Sequence, residues 1–347
     1  MPISVFSKAR NLSNKIFSPV SMKVLITGAT GFVGSHAADR LLTNGYDVRA
    51  LVRGSSNLKW LEGKDIETVK GNLEDPDSLK EALKGVEGVI HIGGVTAAKT
   101  KKEFYRHNHI ATRGLLEATK RFGENVERFV LISSQTAGGP SIDGKPVTEE
   151  TPPHPITTYG KSKLAAEIES REFRENFPVT ILRLPAIYGP RDSAILSFFQ
   201  TVNSRVKPLI GFQEKFINLA HVYDIAQGIE LSLIRPEAKN RTFYIGSEIQ
   251  YGWRELSNLA AEIMGKKGIF VTIPHVAVSA IAGAAEFFSM FKKKPSVLNW
   301  EKRLDITQAS WTCSIERAQR ELGYAPKVEI KEGFAETIDW YKQHRWL

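Results

Sequence analysis

A doubly wound α/β fold, with a parallel sheet covered by helices on both faces, is predicted by three features of the sequence. Short apolar runs alternate with helical stretches from Met22 onward. The first run, Val24-Leu25-Ile26, leads straight into TGATGFVG (27–34), a turn with glycine at every third position. The chain of 347 residues, 42% hydrophobic and 24% charged, also has the size and balance of one large globular domain with a smaller lobe.

The elements follow in order. The pattern predicts strands over Lys23–Thr27, Asp47–Val52, Glu67–Lys70, Gly88–Ile92, Arg128–Ser133 and Val179–Leu184, with helices near 32–43, 77–84, 103–122 and 159–176. Right-handed crossovers then place every strand's C-terminal end on one edge, where ligands bind in such sheets. After Pro185 the pattern loosens, and residues 186–216 read as loop and helix. Asp224–Leu233 reads as a helix and Thr242–Ile245 as a strand, so the segment near 217–247 returns to the sheet. The expected organisation is a basic, poorly ordered arm over 1–21 and a dinucleotide-binding domain over 22–185. A smaller, mostly helical lobe for substrate takes 186–216 and 248–347.

Charge and composition exclude several classes. The net charge of +9 is moderately basic, but the cations are scattered among acids and lack the interleaved aromatics of single-strand binders, which argues against nucleic acid. A single cysteine, Cys313, excludes an intrachain disulfide framework and a thiolate metal site, so a reducing, cytoplasmic setting and no metal are expected. No apolar run approaches the length of a membrane span. The stretch VAVSAIAGAAEFFSMF (276–291), followed by three lysines, reads either as a buried helix or as a peripheral contact with lipid headgroups.

The glycine turn carries the first chemistry. Strand, glycine turn and helix together let backbone amides approach a pyrophosphate at the positive end of the helix. The spacing resembles the T-G-x-x-G-x-x-G loop of the short-chain dehydrogenase/reductase superfamily, extended branch, which implies a Rossmann-type domain. On that resemblance Gly28, Thr30, Gly31, Phe32, Val33 and Gly34 hold the dinucleotide. The second strand ends DVRALVR: Val52 stands where an acid would bind the ribose of NAD, and Arg53 follows. Arginine attracts a 2′-phosphate, so NADP(H) is expected over NAD(H). Asn72 and Leu73 match the family's Asp-Leu beside adenine. Gly93, in VIHIGG (89–94), lines the cofactor edge, and Pro185 and Ile187, in LPAIYGP (184–190), lie beside the nicotinamide.

The second constellation is Ser134 at the end of the fifth strand with Tyr159 and Lys163 on a later helix. Four residues apart, Tyr159 and Lys163 share one helix face. An ammonium there favours phenolate and lowers the tyrosine pKa, while Ser134 holds a carbonyl oxygen as charge builds. The superfamily's serine, tyrosine and lysine map onto Ser134, Tyr159 and Lys163, and Asn108 in FYRHNHIATRGLLEA matches the asparagine that supports the proton relay. His91, on an apolar strand, reads as structural. Tyr223 replaces the first acid of the family's V-D-D element, leaving Asp224.

The resemblance spans nearly the whole chain from Met22 and is nearest the subgroup related to 3β-hydroxysteroid dehydrogenases and dihydroflavonol reductases. It implies hydride transfer between the nicotinamide and a carbonyl or secondary alcohol on a lipophilic, steroid-, flavonoid- or lipid-like substrate, with Tyr159 moving the proton. Gln135-Thr136 after Ser134 lack the Asp-Glu pair of nucleotide-sugar dehydratases, which disfavours dehydration. A nucleotide-sugar epimerase with tightly bound NAD, or a non-catalytic NADP-binding regulator, are the alternatives. Homodimers packed through the helices near 103–122 and 159–176 are implied by the family.

Overall fold

The computed structural model describes residues 22–280 and 300–347, so the basic arm and most of the 276–291 stretch lie outside the described residues. Among the described residues thirteen strands run in chain order as β1 (Lys23–Thr27), β2 (Asp47–Val52), β3 (Ile66–Lys70), β4 (Gly88–His91), β5 (Arg128–Ser134), β6 (Val179–Leu184), β7 (Ala186–Tyr188), β8 (Val206–Ile210), β9 (Phe216–His221), β10 (Thr242–Tyr244), β11 (Gln250–Gly252), β12 (Ile269–Ile273) and β13 (Ser310–Trp311). Seven of them form the main sheet in the order β10-β6-β5-β4-β1-β2-β3, and every pair is parallel.

Parallel strands covered on both faces need continuous apolar sequence, and the inner strands have it. Val24, Leu25, Ile26, Val89, Ile90, Phe129 and Val130 are fully buried, each worth roughly 1.5–3 kcal/mol of transfer free energy. Val24 and Ile26 point into one core with the helices Phe32–Thr43 and Val222–Ile234, while Leu25 points into the other with Ala111–Phe122 and Thr158–Glu172. Edge strand β3 is largely exposed and polar, with Glu67 reaching Arg49 at 2.8 Å.

Strand order reverses between β1 and β4. The crossover after β1 runs to one side and the later strands stack on the other, so a crevice opens beyond Thr27 and His91. Every candidate site residue faces that edge or supports it.

Residues after Pro185 contain more strand than the sequence pattern predicts. In a second sheet β9 pairs with β7, β11 and β13, and in a third, two-stranded sheet β8 pairs with β12. These strands have only two to six residues, and β8 carries Pro208, so neither period nor propensity marks them against a helical background. The lobe has its own aromatic core, in which Phe199 and Phe334 meet edge to face at 5.0 Å.

Candidate active site

The glycine turn answers to crowding. Gly28 has φ +77°, and a Cβ there would lie 2.8 Å from the Gly93 amide; a Cβ on Gly34 would lie 2.1 Å from the Gly28 carbonyl oxygen. The helix Phe32–Thr43 therefore starts directly against the turn. Gly31 caps it without a side chain, no acid occupies the first turn, and the amides of Phe32, Val33 and Gly34 point along the axis with no intrahelical acceptor. Gly31 and Thr30 are accessible in front of it. Unpaired amides, a positive helix end and a backbone stripped of side chains fit a dinucleotide pyrophosphate.

The remaining residues expected to meet the dinucleotide flank this turn. Arg53 stands exposed just past β2, its backbone amide donating to Ser56 Oγ at 3.0 Å and its guanidinium in no ion pair among the described residues. Asn72 is exposed too, but its Oδ1 already accepts the Glu74 amide at 3.1 Å, which leaves the Nδ2 amide to face a ligand. Leu73 packs on the second core. The Gly93 amide donates to Thr27 Oγ1 at 3.2 Å, fixing β4's exit against β1's. Pro185 is buried and Ile187 half-buried at the exit of β6.

Ser134 and Tyr159 come together. The Ser134 hydroxyl lies beside the Tyr159 phenol, close enough to favour its ionised form, and Thr136 donates to Ser134 Oγ from its amide at 3.2 Å and from its hydroxyl at 2.9 Å. The tyrosine's helix is capped by Thr157, which accepts the Gly160 amide. The Phe104 ring lies 6.2 Å from the Tyr159 ring. Burial pushes the phenol above its ordinary pKa, opposed by the neighbouring Ser134 hydroxyl and reinforced by the Asp305 carboxylate. The net shift is upward, where the sequence led to the expectation of a downward one from Lys163, because burial is the largest effect. The ammonium of buried Lys163 instead donates to the Ile132 carbonyl at 2.6 Å, and desolvation brings it down to about 8, with Glu167 holding it up.

Beneath them lies a buried charge network that the sequence reading missed. Glu167, fully buried one turn beyond Lys163, takes two bonds from Arg183 on β6, at 3.0 and 2.8 Å. Ser133 donates to the same carboxylate at 2.6 Å and Arg171 at 3.0 Å, while Arg183 also donates to the Tyr244 hydroxyl at 3.2 Å. The extended pattern Y-x-x-x-K-x-x-x-E was the available signal, since it puts all three side chains on one face.

Asn108 lies in a π-helical turn, Arg106–Ile110, within an otherwise α-helical run from Lys101 to Phe122. Its Oδ1 accepts the Val95 amide at 2.8 Å, and its Nδ2 donates to the Val95 carbonyl and to Ser162 Oγ, both at 3.0 Å. Ser162 in turn donates to the Tyr159 carbonyl at 2.7 Å. The amide is thus fully engaged in tying the β4 exit to the tyrosine helix, and it acts by position. His91 is satisfied at both nitrogens, against Thr27 at 2.6 Å and Thr112 at 3.0 Å. Because Thr112 spends its proton on the Asn108 carbonyl, His91 donates from Nε2 and accepts at Nδ1; burial keeps it neutral, with a pKa of about 3. Asp224 accepts the amides of Lys327 and Val328, and Tyr223 donates to Glu336 at 2.8 Å, so that element anchors the C-terminal segment.

An amide cradle at the sheet's switch point, with a serine–tyrosine pair and a buried lysine beside it, defines a dinucleotide-dependent enzyme of the CH–OH group. The model of the NAD dependent epimerase/dehydratase family matches residues 24–246, and this chain belongs to that family. Among curated relatives, a ceramide reductase of Caulobacter vibrioides is 31% identical over 93% of this chain and 96% of its own. A decarboxylating sterol-4-alpha-carboxylate 3-dehydrogenase of Dictyostelium discoideum is 26% identical over 90% and 99%. Among solved structures, that of gox2253 is 28% identical with a TM-score of 0.79, covering 93% of this chain and 99% of that one. Among the described residues no helix is long and apolar enough to cross a membrane.

Proposed function

We propose that this chain is an NADP(H)-dependent reductase that interconverts a carbonyl and a secondary alcohol on a lipophilic, ceramide-like substrate. The observation that carries the reading is the hydroxyl pair of Ser134 and Tyr159 at the switch-point edge, with Lys163 one helical turn away. The bound dinucleotide supplies hydride. Ser134 donates to the substrate oxygen and stabilises its growing charge. Tyr159, kept protonated by burial, delivers its proton to that oxygen, and the Lys163 ammonium lowers the cost of the phenolate left behind. Asn108 steadies the phenol's helix through Ser162, and the Ile132 carbonyl holds the ammonium.

The lipophilic substrate is supported by the ceramide reductase, which aligns over almost the full length of both chains. The preference for NADP(H) is supported by exposed Arg53 and by Val52 in place of an acid. A second copy packed on the paired helices is supported by exposed Tyr105, Ile110 and Ile168. The test is NADPH oxidation with a ketone analogue of ceramide, run beside NADH and a UDP-sugar. Oxidation of NADPH by the lipid ketone is expected. Epimerisation of the sugar without net cofactor turnover, or NAD copurifying with the protein, overturns the reading.

A further inference from the structure

Strands β8 and β12 form a two-stranded parallel sheet whose faces are unlike. On one, Lys207 and Leu209 of β8 are buried, Lys207 Nζ reaching Asn258 on the helix Trp253–Ile263 at 2.9 Å, while their β12 partners Phe270 and Thr272 are exposed. On the other, Val206, Pro208 and Ile210 of β8 stand in register with Ile269, Val271 and Ile273 of β12. None of these six is buried, and Ile269 is 70% exposed. A parallel sheet with a bare apolar face is unusual, because both faces are ordinarily covered. At the C-terminal end of the pair the Gly211 amide donates to the Ile273 carbonyl at 2.9 Å, and Phe212 and Val276 follow within three residues of that bond. Both are 82% exposed.

Charge at the opposite end of the strands says what fits this face. Arg205, Lys266 and Lys267 surround the strand starts, and none is in an ion pair among the described residues. The nearest acids along the chain are already engaged, Glu214 by Arg254 and Glu262 by Lys331. A greasy patch with an aromatic tip and an unneutralised cationic rim complements acyl chains beneath anionic headgroups.

We propose that the β8–β12 face docks on an anionic lipid surface, with Phe212 and Val276 entering the acyl boundary and Arg205, Lys266 and Lys267 meeting the headgroups. The docking does not depend on the identity of the substrate. Cosedimentation of the full chain with vesicles of phosphatidylcholine, alone or mixed with phosphatidylglycerol, tests it. Binding is expected to the anionic vesicles and to weaken with salt. Phe212→Ser with Val276→Ser should lower it about a hundredfold. Each of Lys266→Glu and Lys267→Glu should lower it at least about fivefold. Because these side chains stand in solvent, melting temperature and NADPH affinity should not change. Equal binding to both vesicles, no binding, or binding untouched by the serine pair overturns the proposal. So does sedimentation velocity in which that pair splits a dimer, which would assign the face to a second copy.

Discussion

The two halves of the site are built on opposite terms. In the glycine cradle the polar groups stand open: the first amides of the helix Phe32–Thr43 lack acceptors, and Arg53 reaches into solvent. In the floor beneath Tyr159 the side chains of Asn108, Ser162, Lys163, Glu167 and Arg183 are all hydrogen-bonded, and most are fully buried. Open amides are what a surface that receives phosphate requires, and a saturated network is what holds reacting atoms within tenths of an ångström. Changes in the cradle should therefore move affinity, and changes in the floor should move stability and pH dependence.

The largest effect belongs where the halves meet. Tyr159→Phe should lower kcat by about a hundred- to ten-thousand-fold while NADPH affinity and melting temperature hold, as steady-state kinetics and calorimetry would show. Next is the floor itself. Glu167→Gln leaves Arg183 without its anion and should cost about 3–5 kcal/mol in urea unfolding. It also removes the charge that holds Lys163 up near 8, so the alkaline limb of kcat/KM should move to lower pH. An unshifted limb would show that Glu167 only braces the fold.

In the cradle, Gly34→Ala places a methyl 2.1 Å from the Gly28 carbonyl oxygen and should weaken NADPH at least about tenfold with little change in the floor's pH behaviour. Buried histidines on both sides of the site carry a pH signature. His91 on β4 and His221 on β9 sit near 3 and His36 on the cradle helix near 4 in the folded chain, all depressed below 6.5 by burial. The unfolded chain takes up protons below pH 6.5 and the folded chain does not. Stability is then complete above pH 6.5 and is lost as pH falls toward 4, by about 1.4 kcal/mol per unit for each histidine. His91→Asn should reduce that slope by one histidine's share in urea titrations at pH 7 and 5.5. Arg53→Asp, the mildest change, should shift the NADPH-to-NADH affinity ratio by about tenfold without altering kcat for the better cofactor.

The same contrast explains what was legible in the sequence. Gly28 to Gly34 lie in one turn and Tyr159 to Lys163 on one helical turn, so local spacing displays them. The floor is assembled from β5, β6, β10 and two helices, and Glu167, Arg183 and Tyr244 meet only when the sheet forms. Asn108 was found by pattern, yet its engagement with Val95 and Ser162 depends on a π turn that no periodicity announces. The acidity of Tyr159 was misjudged for a related reason: an ammonium four residues away is visible in sequence, while the desolvation that outweighs it is not. Short strands such as β7 and β13 take their conformation from the neighbour they pair with.

That π turn has a structural consequence. One extra residue in a helical turn offsets the two ends of the rod by about 100° of azimuth. Phe104, ahead of the offset, faces Tyr159, while Leu115 and Leu116, behind it, face the sheet. A straight helix of the same composition would aim only one end correctly, so excising a single residue between Arg106 and Ile110 would leave either the phenol without its aromatic wall or the core without its leucines.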